Sequence, residues 1–180
     1  MAAAGAFHDR LRPVVDRTMC RLVGPRDPDY DDLAQQALIE LTTGVDRFRG
    51  ECPIEAWAAV IVARVAYRQI RRRRVERRLF AVESAESREW PDRNASNSVV
   101  HRGTIRRVQR HLSAMDPNKA WTFLLHDVHG YSLEEVATIT GVSNAAAQSR
   151  LVRGRSWLRA RIARDPELAD LLITAGGETS

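Results

Sequence analysis

Apolar residues repeat at intervals of three and four along most of the chain, which is the spacing of a single helix face. The first run, closed by Gly24-Pro25, contains Leu11, Val14, Val15, Met19 and Leu22. The second, closed by Gly44, contains Leu33, Ala37, Leu38, Ile39 and Leu41. The third and longest begins at Pro53 and contains Ile54, Trp57, Val60, Ile61 and Val65. This pattern predicts that the N-terminal part of the chain is helical.

The helical pattern stops between Glu83 and Ser98, in the stretch ESAESREWPDRNASNS. The stretch is polar and is interrupted by Pro91, so it predicts a flexible linker. Its aromatic residue, Trp90, has two open roles: docking on a partner or folding back on a domain. We therefore expect an all-α fold of two small helical domains, at residues 1–81 and 100–165, with the linker at 82–99 and a C-terminal segment at 166–180.

Helical spacing resumes after the linker. One segment contains Ile105, Val108, Leu112 and Met115. Asp116-Pro117, a cap followed by a first-turn proline, then predicts a helix with Trp121, Leu124, Leu125 and Val128, ended by Gly130. Beyond Ile162, Pro166 starts a short apolar segment with Leu168, Leu171, Leu172 and Ile173, which either packs on the preceding domain or awaits a partner.

The stretch YSLEEVATITGVSNAAAQSRLVRGRSWLRARI predicts a helix-turn-helix. Ser132 and Glu135 form a capping box, Gly141 ends the first helix, and Ser143 caps the second. The buried seam of the second helix is expected at Ala147, Leu151, Gly154 and Leu158. Its other faces carry groups that read base edges and hold phosphates, on Asn144, Gln148, Ser149, Arg150, Arg153 and Arg155. The alternative is an ordinary helical hairpin with a solvated basic face.

The charge of the chain favours a polyanionic partner. The formal net charge is +5, and the 28 basic residues include a single lysine, Lys119. Arginine suits phosphate binding, although a GC-rich genome would leave the same composition. The densest arginine run comprises Arg64, Arg68, Arg71, Arg72, Arg73, Arg74, Arg77 and Arg78. It predicts either a solvated helix face or, as we favour beside a DNA-reading motif, a nucleic-acid surface.

The acidic cluster Asp27, Asp29, Asp31 and Asp32 has three interpretations: helix capping, a cation site, and a surface for a basic partner. Its spacing does not match an EF-hand, and His126 and His129 are not spaced as a metal pair, so we expect no metal and no cofactor. A metal-dependent nuclease is accordingly the last-ranked function. Since neither a signal peptide nor a membrane span is visible, we expect a cytoplasmic protein.

Two separated blocks together resemble one protein family. DYDDLAQQALIEL, DRFRGECPIEAW and the arginine-rich helix, followed by the linker and by the helix-turn-helix block, are similar to an extracytoplasmic-function (ECF, group IV) sigma factor of bacterial RNA polymerase. The resemblance covers nearly all of residues 10–162. It implies promoter DNA and core RNA polymerase, through its β′ clamp and β flap, as partners. It also implies a transcription factor rather than an enzyme.

The resemblance also assigns roles to individual residues. Those implied to bind the polymerase are Asp31, Asp32, Leu33 and Gln35. Those implied to receive a flipped base of the minus-ten element are Phe48, Arg49, Gly50, Glu51 and Trp57, with Arg64 and Arg68 beside them. Those implied to read the minus-thirty-five element are Ser143, Asn144, Gln148, Ser149, Arg150 and Arg153.

The sequence departs from the family pattern at two places. Arg64 and Arg68 stand where many members have amide residues, and Ala147-Gln148 replaces a more usual Val-Lys pair, so neither promoter element can be copied across. Family members are commonly held inactive by an anti-sigma factor, which makes such a protein a candidate partner. The alternative function is a stand-alone helix-turn-helix regulator, which would more often carry a dimerisation or ligand domain.

Overall fold

A computed structural model describes residues 2–80, 99–166 and 168. The predicted linker up to Ser98, Trp90 within it, and the C-terminal segment apart from Pro166 and Leu168 lie outside the described residues. The described helices are α1 (Ala2–Leu22), α2 (Tyr30–Gly44), α3 (Ile54–Phe80), α4 (Val99–Ala114), α5 (Pro117–Phe123), α6 (Leu133–Thr140) and α7 (Asn144–Ile162). The predicted all-α fold is confirmed, and the helices form two compact units, α1–α3 and α4–α7, the second without the last three residues of α6.

The first unit is a three-helix bundle in which each helix packs against the other two. The predicted apolar face of α1 is confirmed, because all five of its members are buried. The fully buried large side chains of this unit are Leu11, Val15, Met19, Leu41 and Val62. On α3, however, Ile54, Trp57 and Val60 are only half-buried, because the core lies deeper along that helix.

One arginine of the basic run joins the loop before α2 to α3. The Arg73 guanidinium donates to Asp27 through two nitrogens at 2.6 Å each and also contacts Asp29, to which Gln69 donates at 3.1 Å. The Arg73 side chain is only 16% exposed and that of Asp27 10%. Of the two residues that the sequence offers as caps of α2, Asp29 occupies the N-cap position without a side-chain capping hydrogen bond, because its carboxylate contacts α3. Asp27 accepts from the Asp29 backbone N–H at 3.0 Å as well as from Arg73. Arg73 is likewise neither solvated nor free for nucleic acid.

These hydrogen bonds shift the pKa values of Asp29 and Arg73 in the direction that favours their charged forms. Hydrogen bonds from Arg73 and then from Gln69 lower the pKa of the Asp29 carboxyl. The pKa of Arg73 is raised in turn, chiefly by its hydrogen bonds to Asp27. Asp29 and Arg73 are therefore both charged at neutral pH.

The second unit is built on a small apolar core between α4, α5 and α7. Its buried members are Leu112, Met115, Ala120, Leu124 and Leu158. Asp116 caps α5 as predicted, accepting from the backbone of Asn118 at 3.1 Å and of Lys119 at 3.2 Å. After α5 the chain widens into a π-helical segment, Leu124–Val128. This change of register leaves Val128 56% exposed, unlike the other apolar residues predicted for this helix.

The helix-turn-helix has the predicted local geometry. The capping box of Ser132 and Glu135 is complete, and Gly141 has φ +69°, which favours glycine. Ser143 accepts from the backbone of Ala146 at 3.2 Å and so caps α7. The α7 seam is buried as predicted, and a Cβ on Gly154 would lie 3.3 Å from the Lys119 carbonyl oxygen. Glycine thus allows α5 and α7 to approach closely.

The end of α7 is tied back to α4. Asp165 accepts from His111 Nε2 at 3.0 Å and from Arg107 at 3.4 Å. The hydrogen bond to His111 is the main reason why the pKa of Asp165 is lowered. These contacts attach the C-terminal end of α7 to α4.

We predict that Arg73→Gln destabilises the protein by about 2 kcal/mol, because it leaves the mostly buried Asp27 carboxylate without its cation. Urea unfolding measures the change. Arg71→Gln, which alters an exposed arginine of the same helix, is the control and should change stability by less than about 0.5 kcal/mol. Equal stability of the two variants would contradict a structural role for Arg73.

The stabilisation by Asp29 should disappear in acid. Its pKa is lower in the folded than in the unfolded chain, so its contribution is complete above the ordinary carboxyl pKa of about 4 and is lost as pH falls through the folded value. The stability gap between wild type and Arg73→Gln should therefore narrow steadily below about pH 4. Urea unfolding at several pH values tests this, and a gap that widens in acid would refute it.

Candidate nucleic-acid interface

An aromatic pair lies where α2 gives way to α3. A single turn of 3-10 helix, Val45–Arg47, follows α2, and the Phe48 backbone N–H donates to the Val45 carbonyl at 3.0 Å. This places the Phe48 ring 5.3 Å from the Trp57 ring, at an interplanar angle of 47°. Both side chains are half-buried, so part of each ring is open to solvent. The structure thus brings together two residues that lie nine positions apart in the sequence.

The loop between these aromatics is exposed. Arg49, Gly50 and Glu51 are all accessible, and Gly50 has φ +74°. Arg49 and Glu51 approach to 3.9 Å, but both side chains are at least three-quarters exposed. Such a pair contributes little to stability and leaves both groups accessible to a ligand.

Arg64 and Arg68 continue the same face of α3, since residues seven and four apart align on a helix. Neither is a lone cation, because one carboxylate of α2, Glu40, contacts both. One carboxylate oxygen of Glu40 lies 3.3 Å from a guanidinium nitrogen of Arg64, and the other is in close contact with the guanidinium group of Arg68. The sequence did not indicate a role for Glu40, because a contact between two different helices is not predicted by any local motif.

The acidic cluster divides into two pairs. Asp27 and Asp29 face α3, as described above, whereas Asp31 and Asp32 are exposed in the first turn of α2. Gln35 is exposed with them, and Leu33 is buried in the bundle. The same helix also exposes half of the Ile39 side chain. Within the described residues, no group of three or more His, Cys, Asp and Glu side chains is placed to hold a metal ion.

On α7, the predicted reading residues are accessible to different extents. Ser143, Asn144, Gln148 and Arg153 are exposed, while Ser149 and Arg150 are half-buried. Val152, which the sequence did not single out, is 58% exposed among them. A methyl-bearing side chain at this place could contact a thymine methyl group.

Arg155 differs from the other arginines of this helix. Its guanidinium donates to both oxygens of Asp127, at 2.8 and 2.5 Å, and these bonds are the main reason why the pKa of Asp127 is lowered. The expectation that Arg155 is available to DNA is thereby weakened, since this fork holds α7 against the π-helical segment. Asp127 also pairs with His126 at 3.0 Å.

The described helices include none that is both long enough and apolar enough to cross a lipid bilayer. Their exposed features are of another kind. The first unit offers an aromatic pair beside guanidinium groups, and the second offers a capped helix with amide, hydroxyl and guanidinium groups. These are the groups that bind single-stranded bases, phosphates and major-groove edges.

Comparison with known families agrees with this division into two units. Sigma-70 region 2 matches residues 7–76, and Sigma-70 region 4 matches residues 105–158. The first match contains the aromatic pair and Glu40, and the second contains the helix-turn-helix. Together they cover most of the helical residues of both units.

Individual proteins agree as well. The ECF RNA polymerase sigma factor SigM of Mycobacterium tuberculosis, in strains Erdman and H37Rv, is 26% identical over 140 residues, which is 78% of this chain and 67% of SigM.

Two solved structures share the fold. The sigma factor RpoE, crystallised with the anti-sigma factor NepR from Bartonella quintana, has a TM-score of 0.56 at 20% identity, over 89% of this chain and 96% of RpoE. CnrH, in complex with the cytosolic domain of CnrY, has a TM-score of 0.52 at 22% identity, over 91% and 90%. With both regions present in order and a curated relative that spans them, the chain belongs to the sigma-70 family as an ECF sigma factor, which directs transcription initiation.

Proposed function

We propose that this sigma factor engages core RNA polymerase through α2, opens the minus-ten element with the Phe48–Trp57 end of the first unit, and reads the minus-thirty-five element with α7. The domains are those expected from the sequence, at 1–81 and 100–165. The observation that carries the proposal is that each matched region presents a surface suited to one of these tasks. The proposed role is in binding and positioning, not in catalysis.

The aromatic pair suits the opening step. Separating a base from its stack costs a few kcal/mol, which a pocket must offset if no ATP is used. The partly exposed rings of Phe48 and Trp57 offer stacking faces. Arg49, Gly50 and Glu51 provide an exposed loop at the mouth of this pocket, and Arg64 and Arg68 provide positive charge along the helix that continues from it.

The second unit suits duplex reading. A capped helix inserted by its N-terminal half would bring Ser143, Asn144 and Gln148 to base edges in the major groove. Arg150 and Arg153 then lie about half a turn and about one and a half turns beyond Gln148, where they would reach bases or phosphates. The buried seam and the Asp127–Arg155 pair keep this helix fixed on its unit.

The exposed face of α2 suits a protein partner. Asp32, Gln35 and Ile39 are three and four residues apart, so they share one side of the helix, and all three are exposed. Acidic and amide groups around one apolar side chain are typical of a protein-binding patch. We assign this patch, with Asp31, to the β′ clamp. Leu33 supports it from within the core, and a second contact is expected between the second unit and the β flap.

Two further elements belong to the proposal. RpoE was crystallised with the anti-sigma factor NepR, and CnrH was solved in complex with the cytosolic domain of CnrY. We propose that an anti-sigma factor also binds this chain. Because it acts with core polymerase on chromosomal DNA, we place the protein in the cytoplasm.

The direct test is transcription by core polymerase from a library of randomised promoters, with and without the full chain, followed by sequencing of the transcripts. Initiation that depends on the protein and shares a motif of two separated blocks supports the proposal. DNA binding by the chain alone, with no transcript that depends on it, would favour the stand-alone regulator.

We predict that Arg150→Ala lowers initiation from the selected promoters about tenfold, the effect of losing one base or phosphate contact worth about 1–3 kcal/mol. Arg153→Ala should act in the same direction. Arg159→Ala is the matched control, because Arg159 is exposed on the same helix but lies about half a turn around it from Arg150. If all three variants behave alike, the effect is one of net charge and the assignment of α7 fails.

We predict that Asp32→Ala weakens binding to core polymerase about threefold to tenfold, as loss of a charge at the edge of an interface does. The affinity of the free full-length chain for promoter duplex should not change. Asp9→Ala removes an exposed carboxylate from α1 and serves as the control. Full retention of core affinity by Asp32→Ala, measured by competition for core polymerase, would contradict the clamp assignment.

A further inference from the structure

Glu40 of α2 contacts two arginines of α3, Arg64 and Arg68, and this contact bears on how specifically the first unit binds DNA. Glu40 is mostly buried, with its side chain 18% exposed, whereas Arg64 and Arg68 are 40% and 53% exposed. Gln36 also points its amide nitrogen at Glu40, at 3.4 Å. The carboxylate therefore sits beneath two cations that face solvent.

Glu40 neither neutralises the charge of both arginines nor accepts all of their hydrogen bonds. One negative charge faces two positive charges, which leaves the group of three with a net charge of +1. The Nε of Arg64 is buried and has no acceptor among the described residues. The group can therefore still attract an anion, but less strongly than two unpaired arginines would.

The position of this group relates it to the proposed base pocket. On a helix rising 1.5 Å per residue, Arg64 lies about 10 Å and Arg68 about 16 Å along α3 from Trp57. A strand whose base enters the Phe48–Trp57 pocket would pass its neighbouring phosphates over this stretch. Each phosphate held there must share the guanidinium groups with Glu40.

We propose that Glu40 is a specificity-determining residue that attenuates binding of the DNA backbone at the minus-ten surface. By competing with phosphate for Arg64 and Arg68, it keeps the sequence-independent attraction low. Stable binding then requires that a base also occupy the aromatic pocket. The ligand that Glu40 opposes is the phosphodiester backbone of single-stranded DNA. This inference rests on the proposed role of the first unit.

The test uses holoenzyme assembled from core polymerase and the full chain, with a single-stranded oligodeoxynucleotide of random sequence as probe. Glu40→Gln keeps the shape and one acceptor oxygen but removes the charge. We expect it to bind this probe about threefold to tenfold more tightly, with the slope of log affinity against log salt steeper by about 0.7, the value for one further phosphate contact. Transcription from mismatched promoters should rise with it.

The control is Glu55→Gln. Glu55 also pairs with an arginine, Arg10 at 2.8 Å, but lies two residues before Trp57 and so on the other side of α3. It should leave both affinity and salt slope unchanged. Glu40→Asp, which retains the charge, should bind the random probe as wild type does, which separates charge from folding. Thermal unfolding of each variant confirms that the bundle is intact.

Three results would overturn the inference. Glu40→Gln could bind the random probe no more tightly than Glu55→Gln, or more weakly than wild type, in which case Glu40 orients the arginines instead. Alternatively, the effect of Glu40→Gln could persist in an Arg64→Gln/Arg68→Gln background, where there is no guanidinium left to release. Assembly of the holoenzyme is checked first, by co-elution of the chain with core polymerase. A chain that does not co-elute contradicts the proposed function, whereas an assembled holoenzyme in which Glu40→Gln gives no tighter binding of the probe contradicts this inference alone.

Discussion

The pairing of Arg73 with Asp27 and Asp29 is the interaction on which the first unit depends. It joins the loop before α2 to the C-terminal half of α3, and the Arg73 and Asp27 side chains are largely removed from water. Near the other end of α2, Glu40 contacts Arg64 and Arg68, so polar contacts to α3 flank the helix on both sides. The exposed side of α2 carries Asp32 and Ile39, and its end is followed by the turn that places Phe48 against Trp57.

Arginine has two different tasks in this protein, and the structure separates them. Arg73 and Arg155 are forks that fasten one element to another, each to both oxygens of one carboxylate. Arg153 and Arg49 extend from exposed positions and are available to ligands. Arg64 and Arg68 stand between these classes, because they are exposed and yet share one carboxylate. A strongly basic composition therefore overstates how much positive charge faces the DNA.

Local signals made most of the second unit predictable. The Ser132 capping box, the left-handed turn at Gly141, the Asp116 cap and the α7 seam all depend on residues within one or two turns of each other, and all were confirmed. The helices and the division into two units followed in the same way from periodicity.

The pairing partners of individual charged residues could not be predicted from the sequence. Arg73 finds its partners 44 and 46 residues away, Glu40 finds Arg68 28 residues away, and Asp127 finds Arg155 28 residues away. Nothing in the spacing of a sequence determines which of several similar arginines will meet a given acid. The π-helical segment Leu124–Val128, at the end of which Val128 is exposed, was likewise not indicated by any local motif.

The near absence of lysine among the 28 basic residues determines which conditions in the cell can change the positive charge of the proposed DNA-binding surfaces. Arginine stays protonated at every physiological pH, and lysine acetylation cannot neutralise it. The one lysine, Lys119, has its backbone against Gly154 and lies outside the surfaces assigned to DNA. The attraction between these arginines and nucleic acid is thus constant with respect to acidity and acyl modification. Ionic strength and competing carboxylates remain as the means by which it can be tuned.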